Sequence, residues 1–209
     1  MREKEAATTV IFLRHGSTDY QEDRIYAAQD DPPLNDNGRG QAKDLARWLS
    51  SQNIAGIYVS PTSRTRETAE PIVQELNLPP VLKPDLRERD FGVWEGLTFD
   101  EIATRYAEGH AAWKRDPIVY KPEGGESILD LKARLQVLLD EIIRNHPSQR
   151  VLVVSHVGPI RVALTAALGM PVENYRRLNI HWGSASRVDY GKRQANLIYM
   201  NHLPGGRLP

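Results

Sequence analysis

The sequence predicts an α/β fold, a three-layer α/β/α sandwich around a mostly parallel central sheet. Three observations predict it. Short apolar, β-branched runs stand at Thr9 to Leu13, Ile54 to Val59 and Val151 to Val154. Stretches of helical periodicity separate them, which calls for right-handed crossovers between parallel strands. Each run also stops abruptly at polar residues, at Arg14-His15, at Ser60 and at Ser155-His156, and ligands of such sheets gather at the carboxyl ends of the strands.

The elements follow in order. The run from Thr9 to Leu13 is a first buried strand entering the loop Arg14-His15-Gly16. Asn35 caps a helix over Asp36 to Ser50, with Ala42, Leu45, Ala46 and Leu49 on one face. After the strand Ile54 to Val59, a helix from Ser63 to Leu76, with Ser63 as cap, aligns Thr68, Ala69, Ile72, Val73 and Leu76. From 79 to 126 periodicity weakens among prolines, glycines and aromatics, as expected of an inserted lid or side wall. A strong stripe through Ile128, Leu131, Leu135, Leu138, Leu139 and Ile142 marks a helix over Ser127 to His146, before the strand Val151 to Val154. Val157 to Leu168 is a further helix, and the loose alternation from Ser186 to Met200 suggests one or two strands.

The 209 residues fit one domain, 9–209, preceded by a disordered tail over 1–8. That tail leads into no secretory apolar core and no apolar run reaches the roughly 20 residues of a membrane helix, so a cytoplasmic, membrane-free protein is expected. Lysine plus arginine and aspartate plus glutamate number 27 each, which gives no overall field for nucleic acid. The absence of cysteine excludes disulfides, thiolate metal sites and cysteine nucleophiles. His110, His146, His181 and His202 lack metal-ligand spacing, Asp30-Asp31 reads as a turn, and Trp48, Trp94, Trp113 and Trp182 read as packing residues, with Trp94 and Trp113 flanking the entrance. No metal and no cofactor is expected; a homodimer through an edge strand or helix is compatible with the sequence.

Four segments carry candidate chemistry. Arg14-His15-Gly16 sets an imidazole beside a guanidinium, with a glycine that lets backbone approach a ligand; alone, such a tripeptide is an ordinary surface loop. His156 ends another buried strand, and two histidines at two strand ends can meet. Arg64 lies near the start of a helix, where an arginine fork and the helix terminus both attract phosphate oxygens; the bland alternative is a solvated basic turn. Glu88 lies in an aromatic and glycine-rich segment, Leu86 to Gly96, suited to an acid, or else pairs with Arg87 or Arg89.

Taken together, these segments resemble the histidine phosphatase superfamily, the phosphoglycerate mutase-like group, from Val10 onward. The matching pieces are Leu13-Arg14-His15-Gly16; Pro33-Leu34-Asn35 with Gly38-Arg39; Ser60-Pro61 with Arg64 and Glu67-Thr68-Ala69; Leu86-Arg87-Glu88 with Phe91-Gly92; Gly124-Gly125-Glu126-Ser127; and Val153-Val154-Ser155-His156. The resemblance implies a single histidine phosphatase domain in which His15 attacks phosphorus, Arg14, Arg64 and His156 hold the phosphoryl group, and Glu88 protonates the leaving oxygen. It implies metal-independent hydrolysis of a small phosphorylated metabolite through a phosphohistidine, as in broad-specificity and α-ribazole phosphatases.

The chain departs from the pattern at three places. Ser17 replaces a glutamate, Gln21 replaces an asparagine that binds phosphate, and Val157 replaces a glycine whose backbone N–H binds phosphate, with Gly158 following. Gln21 keeps an amide donor and Val157 keeps its N–H. The rival readings are a phosphoglycerate mutase, which would carry extra basic segments not found here, and a non-catalytic phosphate-binding scaffold, which would have lost the nucleophile or an arginine.

Overall fold

The computed structural model describes residues 7–19 and 31–206. Its centre is β1 (Thr8–Arg14), whose side chains alternate between two cores as the pleat requires. Val10 and Phe12 face one and Ile11 and Leu13 the other, all at most 1% exposed. Strand β4 (Arg150–Ser155) repeats this alternation with Val151 and Val153 against Leu152 and Val154. A strand buried on both faces reads as a continuous apolar run, which is why both were visible in the sequence.

Helices α1 (Asp36–Leu49) and α2 (Ser63–Leu76) cover the Ile11 face. Helices α5 (Ile128–Asn145) and α6 (Val157–Ala167), numbered after two short helices of the side wall, cover the Val10 face. The caps explain where two of them begin. Asn35 accepts a hydrogen bond from the Gly38 N–H, while Ser127 and Asp130 exchange side-chain and backbone bonds at the start of α5. Ser63 is not the cap of α2: Thr62 holds the extended cap position, and Ser63 is the first helical residue, its N–H bound by Asp31.

Among the described residues the sheet has six strands in the order β3-β2-β4-β1-β5-β6, with β2 at Gly56–Val59 and β3 at Pro80–Leu82. The first four are mutually parallel; β5 (Ala185–Tyr190) and β6 (Ala195–His202) extend it antiparallel. Strand β1 thus begins at Thr8, inside the stretch expected to be a tail, and Pro80–Leu82 joins the sheet rather than the side wall.

The remaining side wall has its own small core, in which Trp94 and Ile102 are buried under Phe91, Leu97, Tyr106, Trp113 and Tyr120. It contains α3 (Phe99–Arg105), started by a Thr98–Glu101 capping box, and α4 (Ala107–Arg115), which buries no residue. No helix among the described residues is long and apolar enough to cross a membrane.

Candidate active site

Sheet order and register assemble the site. Because β4 lies between β1 and β2, Leu13 and Val59 both pair with Val154, and the next residues of all three strands emerge together. Arg14 pairs with Ser155, the His15 N–H donates to the Ser155 carbonyl (3.1 Å), and the Ser60 N–H donates to the Val154 carbonyl (3.0 Å). The His15 and His156 rings consequently meet edge to face, with centroids 5.3 Å apart.

Both imidazoles are buried, His15 at 5% and His156 at 1% exposure. Burial first, then the charges of Arg14 and Arg64, hold His15 well below its ordinary 6.5. Burial, Arg64, His15 and Arg14 do the same to His156. The tautomer of neutral His15 follows from its contacts: Nδ1 lies 2.8 Å from the Gly16 carbonyl, which can only accept, so the proton sits on Nδ1 and Nε2 keeps its lone pair. His156 Nε2 lies 2.9 Å from Ser60 Oγ, and its Nδ1 is buried without a hydrogen-bond partner among the described residues. A buried ring nitrogen without a partner invites a ligand oxygen.

The guanidiniums flank these rings. Arg14 donates through Nη1 to the Ile180 carbonyl and stacks 5.1 Å from the centroid of Trp182. Burial lowers its pKa to about 9, which leaves it charged at neutral pH. Arg64, in the first turn of α2, is 1% exposed and reaches Asp31 Oδ1 at 3.2 Å. The amino end of α6, at Val157, has no side-chain cap from His156 and carries roughly half a positive charge, whereas that of α2, at Ser63, is met by the Asp31 carboxylate. Val157 starts α6, so its backbone N–H has no acceptor within the helix.

Glu88, 9% exposed, comes from the segment opposite the strand ends. Ser155 Oγ ties that segment to β4 by donating to the Leu86 carbonyl at 2.7 Å. The Glu88 carboxylate accepts from the backbone N–H groups of Arg89 (2.8 Å) and Gly158 (3.0 Å), and it pairs with neither neighbouring arginine side chain. Arg89 instead donates to the carbonyls of Glu126 and Tyr120.

The loop carrying His15 is fixed by close backbone packing. A Cβ on Gly16 would stand 2.6 Å from the Gly38 carbonyl oxygen, and the Gly16 N–H donates to Thr68 Oγ1 at 3.0 Å. Ser17 Oγ accepts from Asn35 Nδ2 and the Ser17 N–H donates to Gln41, so this departure from the family pattern ties the loop to the start of α1.

The structure therefore brings Arg14, His15, Arg64, Glu88, His156 and Val157 to one region; Gln21 lies outside the described residues. Reading the sequence marked Ser60 only as a polar residue ending a strand, without its partner, and gave no site role to Asp31, Trp182 or Gly158. The signal for Ser60 was its place at a strand end, and for Gly158 the displaced glycine after His156; Asp31 and Trp182 had none.

The model of the histidine phosphatase superfamily (branch 1) matches residues 10–202, and the chain belongs to that superfamily. It is similar to a bifunctional protein of Mycobacterium tuberculosis, 39% identical over 95% of this chain; the chain spans about half the length of that relative, 54%. It is 31% identical to phosphoserine phosphatase 1 of Hydrogenobacter thermophilus over 92% of this chain and 91% of that protein. The crystal structure of the α-ribazole phosphatase from Shigella flexneri superposes with a TM-score of 0.84 at 27% identity, covering 93% of this chain and 96% of that one.

Proposed function

We propose that the protein is a metal-independent phosphomonoester hydrolase that works through a phosphohistidine on a small phosphorylated metabolite. The observation that carries this reading is the Nδ1 bond of His15 to Gly16, which leaves a neutral Nε2 lone pair among two guanidiniums and a second imidazole. The similarity to phosphatases named for phosphoserine and α-ribazole supports hydrolysis and a small substrate.

In the first step the lone pair on His15 Nε2 forms the N–P bond while the P–O bond to the leaving group breaks. Its electron pair goes to the leaving oxygen, which takes a proton from Glu88. In the second, water gives a proton to the Glu88 carboxylate and attacks phosphorus; the N–P bond breaks and its pair returns to His15. Charge spreads over the equatorial oxygens in both transition states, so positioning and positive charge do most of the work. Arg14 and Arg64 supply the charge, and the Val157 N–H and His156 Nδ1 add neutral hydrogen-bond donors, together filling the role that a metal ion fills elsewhere.

The test is hydrolysis of p-nitrophenyl phosphate in excess EDTA, with wild type and His15→Ala, and a search for an acid-labile phosphoryl group on the wild type. Activity in EDTA that disappears with His15→Ala, together with labelled wild type, is expected. Activity that survives His15→Ala removes His15 from the role of nucleophile.

A further inference from the structure

We infer that the cleft beside Glu88 is a second anion subsite, selecting phosphomonoesters whose leaving group itself carries a carboxylate or a further phosphate; this rests on the phosphatase reading of the adjoining site. The cleft has a volume of about 520 Å³ and is lined by Glu88, Phe91, Val157, Arg161, Tyr175 and Arg176, among others. That volume suits a small-molecule ligand. It begins at the carboxylate proposed to protonate the leaving oxygen, so it receives the part of the substrate beyond that oxygen.

Its lining is net positive, with the guanidiniums of Arg89, Arg161 and Arg176 against the single carboxylate of Glu88. Arg161, one turn into α6, donates through Nε to the Leu178 carbonyl at 2.7 Å. Arg176 donates through Nε to Tyr175 Oη at 2.9 Å, with its guanidinium 5.4 Å from the Trp113 centroid and 5.7 Å from that of Tyr175. Neither forms an ion pair among the described residues. Arg89, 2% exposed, adds a third cation to the lining and is itself occupied by backbone carbonyls. Glu88 makes no ion pair with them among the described residues; its oxygens accept from backbone N–H groups, and its charge offsets that of Arg161 only from a distance.

Three guanidiniums and one carboxylate leave this concave site net positive, a charge that an incoming anion offsets, and a guanidinium held against rings keeps its fork oriented for paired oxygens. Phe91 and Phe99 form an apolar wall for the carbon skeleton between the two anionic groups.

The experiment compares kcat/KM within matched ester pairs: 3-phosphoglycerate against glycerol 3-phosphate, phosphoserine against phosphoethanolamine, and propane-1,3-diol bisphosphate against propyl phosphate. Charge-assisted hydrogen bonds predict a preference of about tenfold to a hundredfold for the anionic member. Arg176→Gln and Arg161→Gln should each shrink that ratio through KM, and Arg161→Lys should retain part of it. A preference confined to the acids assigns the group as carboxylate, and one confined to the bisphosphate assigns it as phosphate. A ratio at or below one, or one that neither Gln variant moves, overturns the subsite while p-nitrophenyl phosphate hydrolysis leaves the phosphatase reading standing. Folded protein that hydrolyses none of these esters, p-nitrophenyl phosphate included, overturns both.

Discussion

The carboxylate of Glu88 is held by the first turn of α6: Oε2 accepts from the Gly158 N–H at 3.0 Å, and a Cβ on Gly158 would stand 2.0 Å from Oε1. The glycine displaced by one position from the family pattern thus faces the proposed acid, and Val157 carries its side chain without entering that contact.

Gly158→Ala should therefore push Glu88 out of place while α6, in which alanine is a good residue, still forms. General acid catalysis contributes roughly a hundredfold to ten-thousandfold, and its need grows with the basicity of the leaving group. Gly158→Ala and Glu88→Gln are expected to lower kcat for alkyl phosphates by about a hundredfold, and for p-nitrophenyl phosphate, whose leaving group departs without a proton, by much less. Equal losses on both substrates would remove Glu88 from the acid role.

Ser60 and His156 form the next testable link. With Ser60 Oγ 2.9 Å from Nε2, the ring is oriented with its Nδ1, which has no partner among the described residues, left for the proposed phosphoryl oxygen. Ser60→Ala leaves the ring buried but free to turn, and kcat/KM is expected to fall about tenfold, the worth of one hydrogen bond of about 1.4 kcal/mol. Ser60→Thr, which keeps the hydroxyl, should recover part of it. An unchanged rate in Ser60→Ala would show that packing alone orients His156.

The two depressed histidines also tie stability to pH. Folded His15 and His156 sit well below 6.5, so under mildly acidic conditions the unfolded chain binds protons that the folded chain does not. Stability then falls as pH drops through the unfolded value near 6.5, with a slope approaching about 1.4 kcal/mol per pH unit for each group. Urea unfolding followed from neutral pH to about pH 5 should show this loss, with a smaller slope in His156→Gln. Stability that rises on acidification would contradict neutral, buried imidazoles. The same depression keeps the His15 lone pair available in mild acid, so kcat/KM should not lose its nucleophile near pH 6.5.

The sheet core and most helices were legible because their signal is periodic. Strands β1 and β4 are apolar on both faces, and α1 and α5 carry complete stripes, so hydrophobic spacing alone located them within a residue or two. Arg14-His15 and Ser155-His156 were legible as polar residues ending such strands. Their meeting was not, because it depends on β4 inserting between β1 and β2, a long-range choice that no local pattern states. Helices α3 and α4 escaped because the side wall is thin: α3 buries only Ile102 and α4 nothing, so neither shows a full stripe. Asp31 on Arg64 and Trp182 under Arg14 are single contacts across the chain, without spacing to betray them.

Arg134 and Glu126 bear on both stability and the site. Arg134 Nε lies 2.7 Å from Glu126 Oε1 and Nη2 lies 2.9 Å from Oε2, a bidentate pair with side chains 18% and 23% exposed. Burial alone would raise the Glu126 carboxyl, but the hydrogen bond and charge of Arg134, with the Asp90 N–H, hold it below its ordinary value. The same guanidinium donates to the carbonyls of Asp85, Arg87 and Glu88, so it fastens the segment that presents the proposed acid. Arg134→Met removes the guanidinium from those carbonyls and leaves the half-buried carboxylate with only the Asp90 N–H, and a stability loss of about 2 kcal/mol is expected. Glu126→Gln keeps the shape and the carbonyl anchors and should cost less, about 1 kcal/mol. Because Glu126 is held low, its contribution is present at neutral pH and fades as pH falls through its depressed folded value. The two variants should thus converge toward wild-type stability in acid, Glu126→Gln more closely than Arg134→Met. Denaturant titrations at neutral and acidic pH decide this, and a Glu126→Gln deficit that grows in acid would show that the pair is not what holds the segment.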